Sequence, residues 1–382
     1  MFTEEQIKSI RGKEIVPEYK NIFPPTLSRL YSNELVSLIG EANRAIGNLN
    51  SYARIVPNPD LLIGPMLLRE ALASSRIEGT EATARDIVQH DAGIKLPPKI
   101  RGEALEVINH RESTKLGLYL LDKKGLPLVN RVIKEMHKKL MFAVRGEMRR
   151  PGEFREGSNA VARKNDIDSI IFLPPPADKV EGLMKNLEKY LNEKNSDIDT
   201  ILRCAIAHYE FEAIHPFADG NGRLGRVLIS LFLIKERVLE YPLLYLSGYL
   251  LREKDLYYKA LLEITTQENW GLWFKFVLRG VKEQALRSRN ILERIYSLYK
   301  KDKDIVENNI KKSIYAPRLV EKIFMFPVIT GTQASKLLRS RHTTAMNLLK
   351  EMTKLGLLKS DIRKKRNIPF YNERLIALLE EA

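Results

Sequence analysis

The 382-residue chain has a single cysteine, Cys204, which excludes an internal disulfide and fits a reducing, cytoplasmic setting. No apolar run approaches the length of a membrane span, and the opening M-F-T-E-E-Q-I-K lacks the apolar centre of a signal peptide. No membrane partner is therefore expected. There is no H-E-x-x-H and no C-x-x-C, and His90, His110 and His137 show no paired ligand spacing. No zinc site is expected, and those three histidines read as packing residues. Acidic side chains are in deficit: 63 Lys and Arg against 48 Asp and Glu leave a net charge of +15. That surplus leans towards an acidic partner, nucleic acid among them. Strand-like runs are few, so the expected fold class is mainly α.

What is present centres on I-H-P-F-A-D-G-N-G-R-L-G-R, from Ile214 to Arg226. Gly220-Asn221-Gly222 carries no bulky side chain that would keep an anion from the backbone. An apolar-periodic segment follows at once, so these glycines are expected to open a helix. Its first turn offers unpaired N–H groups and the positive end of the dipole to phosphate. Arg223 and Arg226 are three apart and reach from one helix face. Asp219 is placed to hold a divalent cation, and His215 has the chemistry of a general base. The letters also satisfy G-x-G-x-x-G, but no buried strand precedes Gly220, so the dinucleotide reading fails. A kinase reading fails because no lysine strand, H-R-D or D-F-G accompanies it.

This run resembles the signature of the Fic family, H-x-F-x-[DE]-G-N-G-R-x-x-R, with every specified position present. The resemblance implies transfer of AMP from ATP to a hydroxyl on a target protein. By position, His215 would deprotonate a Ser, Thr or Tyr hydroxyl, and Asp219 would bind Mg²⁺ (or Mn²⁺). Gly220, Asn221, Gly222 and Arg223 would cradle the phosphates, and Arg226 would contact the far one. Upstream, Ser74-x-x-x-Glu78-Gly79 resembles the family's inhibitory motif, [ST]-x-x-x-E-[GN], in the N-terminal placement of its class II. It implies that Glu78 pairs with Arg226 and keeps ATP from seating. The residues themselves pose a puzzle that such a pairing would solve. Gly79 suits the position after a helix C-terminus, which leaves the Glu78 carboxylate at the unfavourable, negative end of the dipole. A nearby cation would resolve it.

Along the chain, residues 1–100 read as an N-terminal helical region whose inhibitory helix runs over about 61–79. Residues 101–285 read as the Fic-type core. Within it, Ala160-Val161-Ala162 and Ile170-Ile171-Phe172-Leu173 flank polar Arg163-Lys164-Asn165-Asp166, a β-hairpin expected within about 154–173. Its place resembles the Fic flap, which implies that a target protein adds its modified segment there as a strand. Tyr249 is the candidate for stacking on adenine. Residues 286–312 read as a charged helical connector. Residues 313–382 have the layout of a winged helix-turn-helix, in which Arg341, His342, Thr343, Thr344 and Asn347 would face a major groove. The basic turn Arg363-Lys364-Lys365-Arg366 would meet phosphate. The alternative to the transferase is a DNA-binding transcriptional regulator whose core senses nucleotide, uses another donor (UMP or phosphate) or removes AMP. The target is not legible, and a homodimer stays open.

Overall fold

The computed structural model describes residues 3–11, 16–26, 31–56, 58–144, 150–162, 169–194, 197–311, 313–360 and 368–381. Two short helices of the N-terminal third, α1 (Glu4–Ile10) and α4 (Ala84–Asp91), begin on threonine capping boxes, Thr3 with Gln6 and Thr83 with Asp86. Between them run α2 (Asn33–Ile55) and α3 (Asp60–Ile77). Helix α3 stops in a Schellman turn. Thr80 N–H bonds the Ser75 carbonyl, Gly79 N–H bonds that of Arg76, and Gly79 has φ +96°.

The core follows as α5 (Pro98–Leu118), which runs into a π-helical turn at Tyr119–Lys123, and α6 (Asn130–Leu140). A two-stranded antiparallel hairpin, β1 (Val161–Ala162) and β2 (Ile170–Phe172), interrupts the helices. Then come α7 (Ala177–Leu191), α8 (Thr200–Ile214) and α9 (Asn221–Lys235). Nearly every residue of α8 and α9 is buried, so these two form the centre of the molecule, and the charged side chains they carry are buried with them. Two shorter helices, α10 (Ser247–Arg252) and α11 (Lys254–Gln267), lead into α12 (Trp270–Asn309).

Helix α12 crosses the expected boundary at 285/286 without a break. The apolar stripe that begins with Trp273 and Phe274 continues through Ile291, Ile295, Tyr299 and Val306, all buried. No proline stops it, so the residues expected as a connector are the second half of a 40-residue helix packed along α2. The C-terminal unit consists of α13 (Ala316–Met325), β3 (Val328–Thr330), α14 (Gly331–Leu338), α15 (His342–Lys354), β4 (Lys359–Ser360), β5 (Pro369–Tyr371) and α16 (Glu373–Glu380). Its strands form one antiparallel sheet in the order β3-β5-β4. It is fastened to the N-terminal helices: Arg69 of α3 donates to the Leu378 carbonyl at 2.6 Å, and Arg85 of α4 pairs with Glu373. No described helix is long and apolar enough to cross a membrane.

Candidate active site

One cleft of about 990 Å³ is lined by the end of α3, the hairpin, the loop from His215 to Gly220, the start of α9 and the start of α11. The loop is built by backbone reversals and then tied down. His215 ends α8 in the left-handed region, φ 51°, with its N–H on the Phe211 carbonyl. Gly220 begins α9 at φ +76°, and a Cβ there would come within 2.9 Å of Met141 Sδ. Three side chains hold the loop between these points. Asn221 accepts from Phe217 N–H and donates to the Phe217 carbonyl, both at 2.8 Å. Arg155, buried, donates to the carbonyls of His215 (2.9 Å), Ile214 (3.3 Å), Pro175 (2.6 Å) and Gly157 (3.0 Å). His137 stacks on Phe217 at 3.8 Å, and its Nε2 lies 2.9 Å from the Asp219 carbonyl.

The electrostatics suit a base beside an anion. Burial holds the His215 imidazole well below its usual value, at about 4; the Glu212 carbonyl opposes the fall and Arg155 adds to it. The ring is therefore neutral at neutral pH. Its Nδ1 lies 3.3 Å from the Glu212 carbonyl, and the tautomer this favours directs the Nε2 lone pair elsewhere. Helix α9 has no side-chain N-cap, so its first-turn N–H groups are not satisfied by a cap. Arg223 is buried, and its Nε and Nη1 have no hydrogen-bond partner among the described residues. Such donors in a cleft wall are the complement of an anion. Asp219 accepts from Gly220 N–H at 2.6 Å and lies 3.7 Å from Arg223. No cluster of three or more metal-ligating side chains occurs among the described residues. One carboxylate next to a phosphate cradle nevertheless matches the way Mg²⁺ is commonly held, by one or two carboxylates and the substrate's own oxygens.

The other wall answers the puzzle of Glu78. Its carboxylate receives Arg226 Nη2 at 2.6 Å, while Arg226 also donates to Ser74 Oγ (2.8 Å) and the Ser74 carbonyl (2.9 Å). Burial would raise the Glu78 pKa, but the Arg226 charge and hydrogen bond outweigh it and hold the group below the usual carboxylate value. The carboxylate rests directly over the phosphate cradle: a Cβ on Gly222 would lie 2.5 Å from Glu78 Oε1 and 2.9 Å from Arg226 Nη1. Lys254 bonds the Ile77 carbonyl at 2.6 Å and steadies the end of α3.

Ser74, Glu78, His215, Asp219, Gly220, Asn221, Gly222, Arg223 and Arg226 thus meet in one place. Tyr249 does not join them. Its ring lies 5.0 Å from that of Phe276 and against Gly280 of α12, away from the cleft. The cleft-lining aromatics are Tyr257 and Tyr258 instead; the spacing of aromatics in this region does not tell a core tyrosine from a cleft one. Asn221 also differs from expectation, because its side chain is spent on the loop and leaves only its backbone to face a phosphate. Arg155, His137 and Glu212 are functional positions that motif reading misses. Arg155 stands in the R-P-G-E-F-R run, where nothing local shows that four carbonyls await it. Glu212 Oε1 is buried without a hydrogen-bond partner, and burial pushes this carboxyl up to about 7. In the C-terminal unit, Arg341, His342, Thr343 and Asn347 are exposed on α15 and Thr344 is half-buried. Arg363, Lys364, Lys365 and Arg366, like Arg163 to Asp166 of the hairpin, lie outside the described residues.

Residues 127–233 match the Fic/DOC family and residues 36–119 match the Fic/DOC family N-terminal region. The chain thus carries a Fic domain preceded by a Fic N-terminal region. A probable protein adenylyltransferase of Aquifex aeolicus (strain VF5) is 28% identical over 202 residues, 52% of this chain and 58% of that protein. The protein adenylyltransferase fic-1 of Caenorhabditis elegans is 31% identical over 147 residues, 38% of this chain and 27% of that protein. The chain therefore spans between about a quarter and three-fifths of these curated relatives. Among solved structures, a Fic family protein from Desulfovibrio desulfuricans G20 aligns with a TM-score of 0.57 at 21% identity, covering 90% of this chain and 96% of that one. Residues 134–508 of C. elegans Fic-1 align with a TM-score of 0.54 at 21% identity, covering 68% and 74%. At such identities these two likenesses bear on the fold alone.

Proposed function

We propose that this chain is a protein adenylyltransferase that moves AMP from ATP to a Ser, Thr or Tyr hydroxyl of a target protein or of itself, and that Glu78 restrains it through Arg226. The observation that carries the reading is the convergence on one cleft of a neutral His215, an uncapped glycine-opened helix and a buried Arg223 whose Nε and Nη1 make no hydrogen bond among the described residues, Glu106 lying 3.9 Å from Nη1. The names of the relatives point the same way. His215 Nε2 takes the proton of the acceptor hydroxyl as that oxygen forms its bond to the α-phosphorus. The bond from the α-phosphorus to the bridging oxygen breaks, and pyrophosphate departs. The first turn of α9 and Arg223 stabilise the charge that gathers on it. Mg²⁺ or Mn²⁺ held by Asp219 would neutralise phosphate charge when bound. In the arrangement described here the Glu78 carboxylate takes the place of an anion over Gly222 and occupies Arg226. ATP and the restraint therefore compete for one seat. The hairpin borders the cleft through Val161, Ala162 and Ile171, where an added target strand would bring its hydroxyl near His215.

The test is transfer of label from α-labelled ATP, with γ-labelled ATP and α-labelled UTP alongside. Glu78→Gly raises transfer and His215→Ala lowers it by at least ~10²-fold, the range for a lost general base. Label from γ-labelled ATP or from UTP, or equal rates in all three proteins, would overturn the proposal.

A second reading concerns the C-terminal unit, which we propose to be a winged helix-turn-helix that binds DNA. It is supported by the order helix, strand, two helices joined by a turn and two strands, and by the exposed polar start of α15. Arg341→Ala and Asn347→Ala should each weaken binding of duplex DNA about tenfold or more, as loss of base-edge contacts does. Fluorescence anisotropy at low and moderate salt measures this, and no binding by the unaltered chain at low salt would remove the reading.

A further inference from the structure

The β-hairpin that borders the cleft is too short to hold its own shape. Its strands have two and three residues, and a two-stranded hairpin alone is marginal in water. Its faces are covered by different layers. Val161, Ile171 and Phe172 pack on the main core, towards Tyr209 and Ala213 of α8 and Leu261 of α11. Ala160, Ala162, Ile170 and Leu173 pack instead in a small separate cluster with Ile7 and Ile10 of α1 and with Val16. Two pieces of the N-terminal chain thus meet the hairpin, α1 and residues 16–19. Both precede residue 36, where the matched N-terminal region begins.

The attachment is polar as well as apolar. Leu173 N–H donates to the Pro17 carbonyl and Tyr19 N–H to the Leu173 carbonyl, both at 2.9 Å, a parallel bridge added to the end of β2. Arg11, at the end of α1, donates to the Pro174 carbonyl at 2.8 Å and pairs with Glu18 at 3.2 Å. That ties the two pieces to each other and to the exit of β2. The Tyr19 hydroxyl donates to Glu210 Oε1 at 2.8 Å. Glu210 is buried on α8, and a buried carboxyl calls for such a donor. Helix α8 is also the one that ends at His215. The N-terminal chain therefore connects the hairpin to the helix that carries the base. Arg155, which holds the His215 carbonyl, takes the Pro175 carbonyl beside the one held by Arg11. The exit of β2 is gripped from two sides. Ile7 also reaches the cleft, whose lining it shares with Ala160, Val161 and Ala162.

We propose that α1 and residues 16–19 act as a brace that positions the hairpin against His215, with Ile7, Arg11 and Tyr19 as its positioning residues. A target strand then finds the hairpin already set at the distance the base requires. The brace acts on the target and not on the nucleotide, since its hydrogen bonds go to Leu173, Pro174 and Glu210 and to no residue of the phosphate cradle. The effect on transfer rests on the proposed function; the bracing itself does not.

The bracing is read by amide hydrogen exchange on the full chain. In Ile7→Asp the amides of residues 169–173 should exchange about tenfold faster or more, while those of residues 215–224 stay as slow as in the unaltered chain. Ile7→Leu should restore the slow rate. Arg11→Gln, which leaves the apolar cluster intact, should give a smaller change in the same direction. The consequence is read in the Glu78→Gly background, with α-labelled ATP and short peptides of mixed sequence centred on serine, threonine or tyrosine. Ile7→Asp should raise the apparent KM for peptide about tenfold or more and leave the KM for ATP unchanged, and Ile7→Leu should reverse the change. Equal exchange of residues 169–173 in the unaltered chain and in Ile7→Asp would overturn the proposal. So would a lower peptide KM in Ile7→Asp, which would mean that the N-terminal chain occupies the target's own place. If no peptide is labelled even by the Glu78→Gly chain, the proposed function fails, and the exchange rates alone decide the brace.

Discussion

The two walls of the cleft are held in opposite ways. On one, the loop from His215 to Gly220 is clamped by interior side chains. Arg155 donates to four carbonyls, Asn221 makes a two-bond closure on Phe217, and His137 is stacked on the Phe217 ring. On the other, the end of α3 is held by Arg226, with Lys254 on the Ile77 carbonyl. The Ser74 contacts are buried, but the Glu78 side chain is 39% exposed along the cleft. Water therefore reaches the ion pair from the Glu78 side and screens it there, while the Arg226 side chain stays buried. The difference teaches which wall is made to move. A base must be placed to within a fraction of an ångström, so its loop is fixed at high cost. On the proposed function a restraint must yield to ATP, and a carboxylate left wet is replaceable.

Breaking the fixed wall is expected to have the larger effect. Arg155→Ala strands several buried carbonyls and should cost on the order of 3 kcal/mol of stability. Asn221→Ala is the sharper probe, because it removes only the closure on Phe217. It should lower the transfer rate ~10²-fold through misplacement of the base, with a stability loss of about 1–2 kcal/mol. Glu78→Gly should do the reverse, raising transfer while moving Tm little. Thermal melts paired with transfer assays on the three variants decide the matter. If Glu78→Gly melts as far below the unaltered chain as Arg155→Ala does, the second wall is structural and the comparison fails.

Most of the releasable wall is legible in the sequence, and little of the fixed wall is. Gly79 after an apolar helix and a carboxylate at the wrong end of the dipole already call for a cation, and Arg226 lies in the one motif able to supply it. The glycines of the signature likewise announce a backbone that must turn sharply and approach an anion. Arg155 and His137 carry no such mark. Each acts on partners that stand 60 and 82 residues away, and neither periodicity nor local propensity encodes that meeting. The same limit explains α12. Its charged second half reads as a solvated connector until α2 and α13 are seen to cover the apolar stripe beneath the charges. Tyr249 shows the converse failure, since a tyrosine on an amphipathic helix looks alike whether its ring faces a ligand or Gly280.

The smallest effect concerns acid, and it separates the walls by chemistry instead of by fold. A base whose pKa is depressed to about 4 works above that pH and is lost as pH falls through it. A carboxylate whose pKa is depressed by Arg226 contributes its pairing above the usual carboxylate value of 4.5 and loses it only as pH falls below that value. Both losses therefore lie at the acid end, below the usual carboxylate value, and from pH 8 to pH 5 the restraint and the base are both in place. The ratio of the Glu78→Gly rate to that of the unaltered chain should stay constant from pH 8 to pH 5, a quantity in which ATP's own ionisation cancels. A ratio that shrinks towards one between pH 7 and pH 5 would mean that burial raises the Glu78 carboxyl above its usual value with no Arg226 charge to offset it. The wall described here as a releasable lock would then be no lock at all.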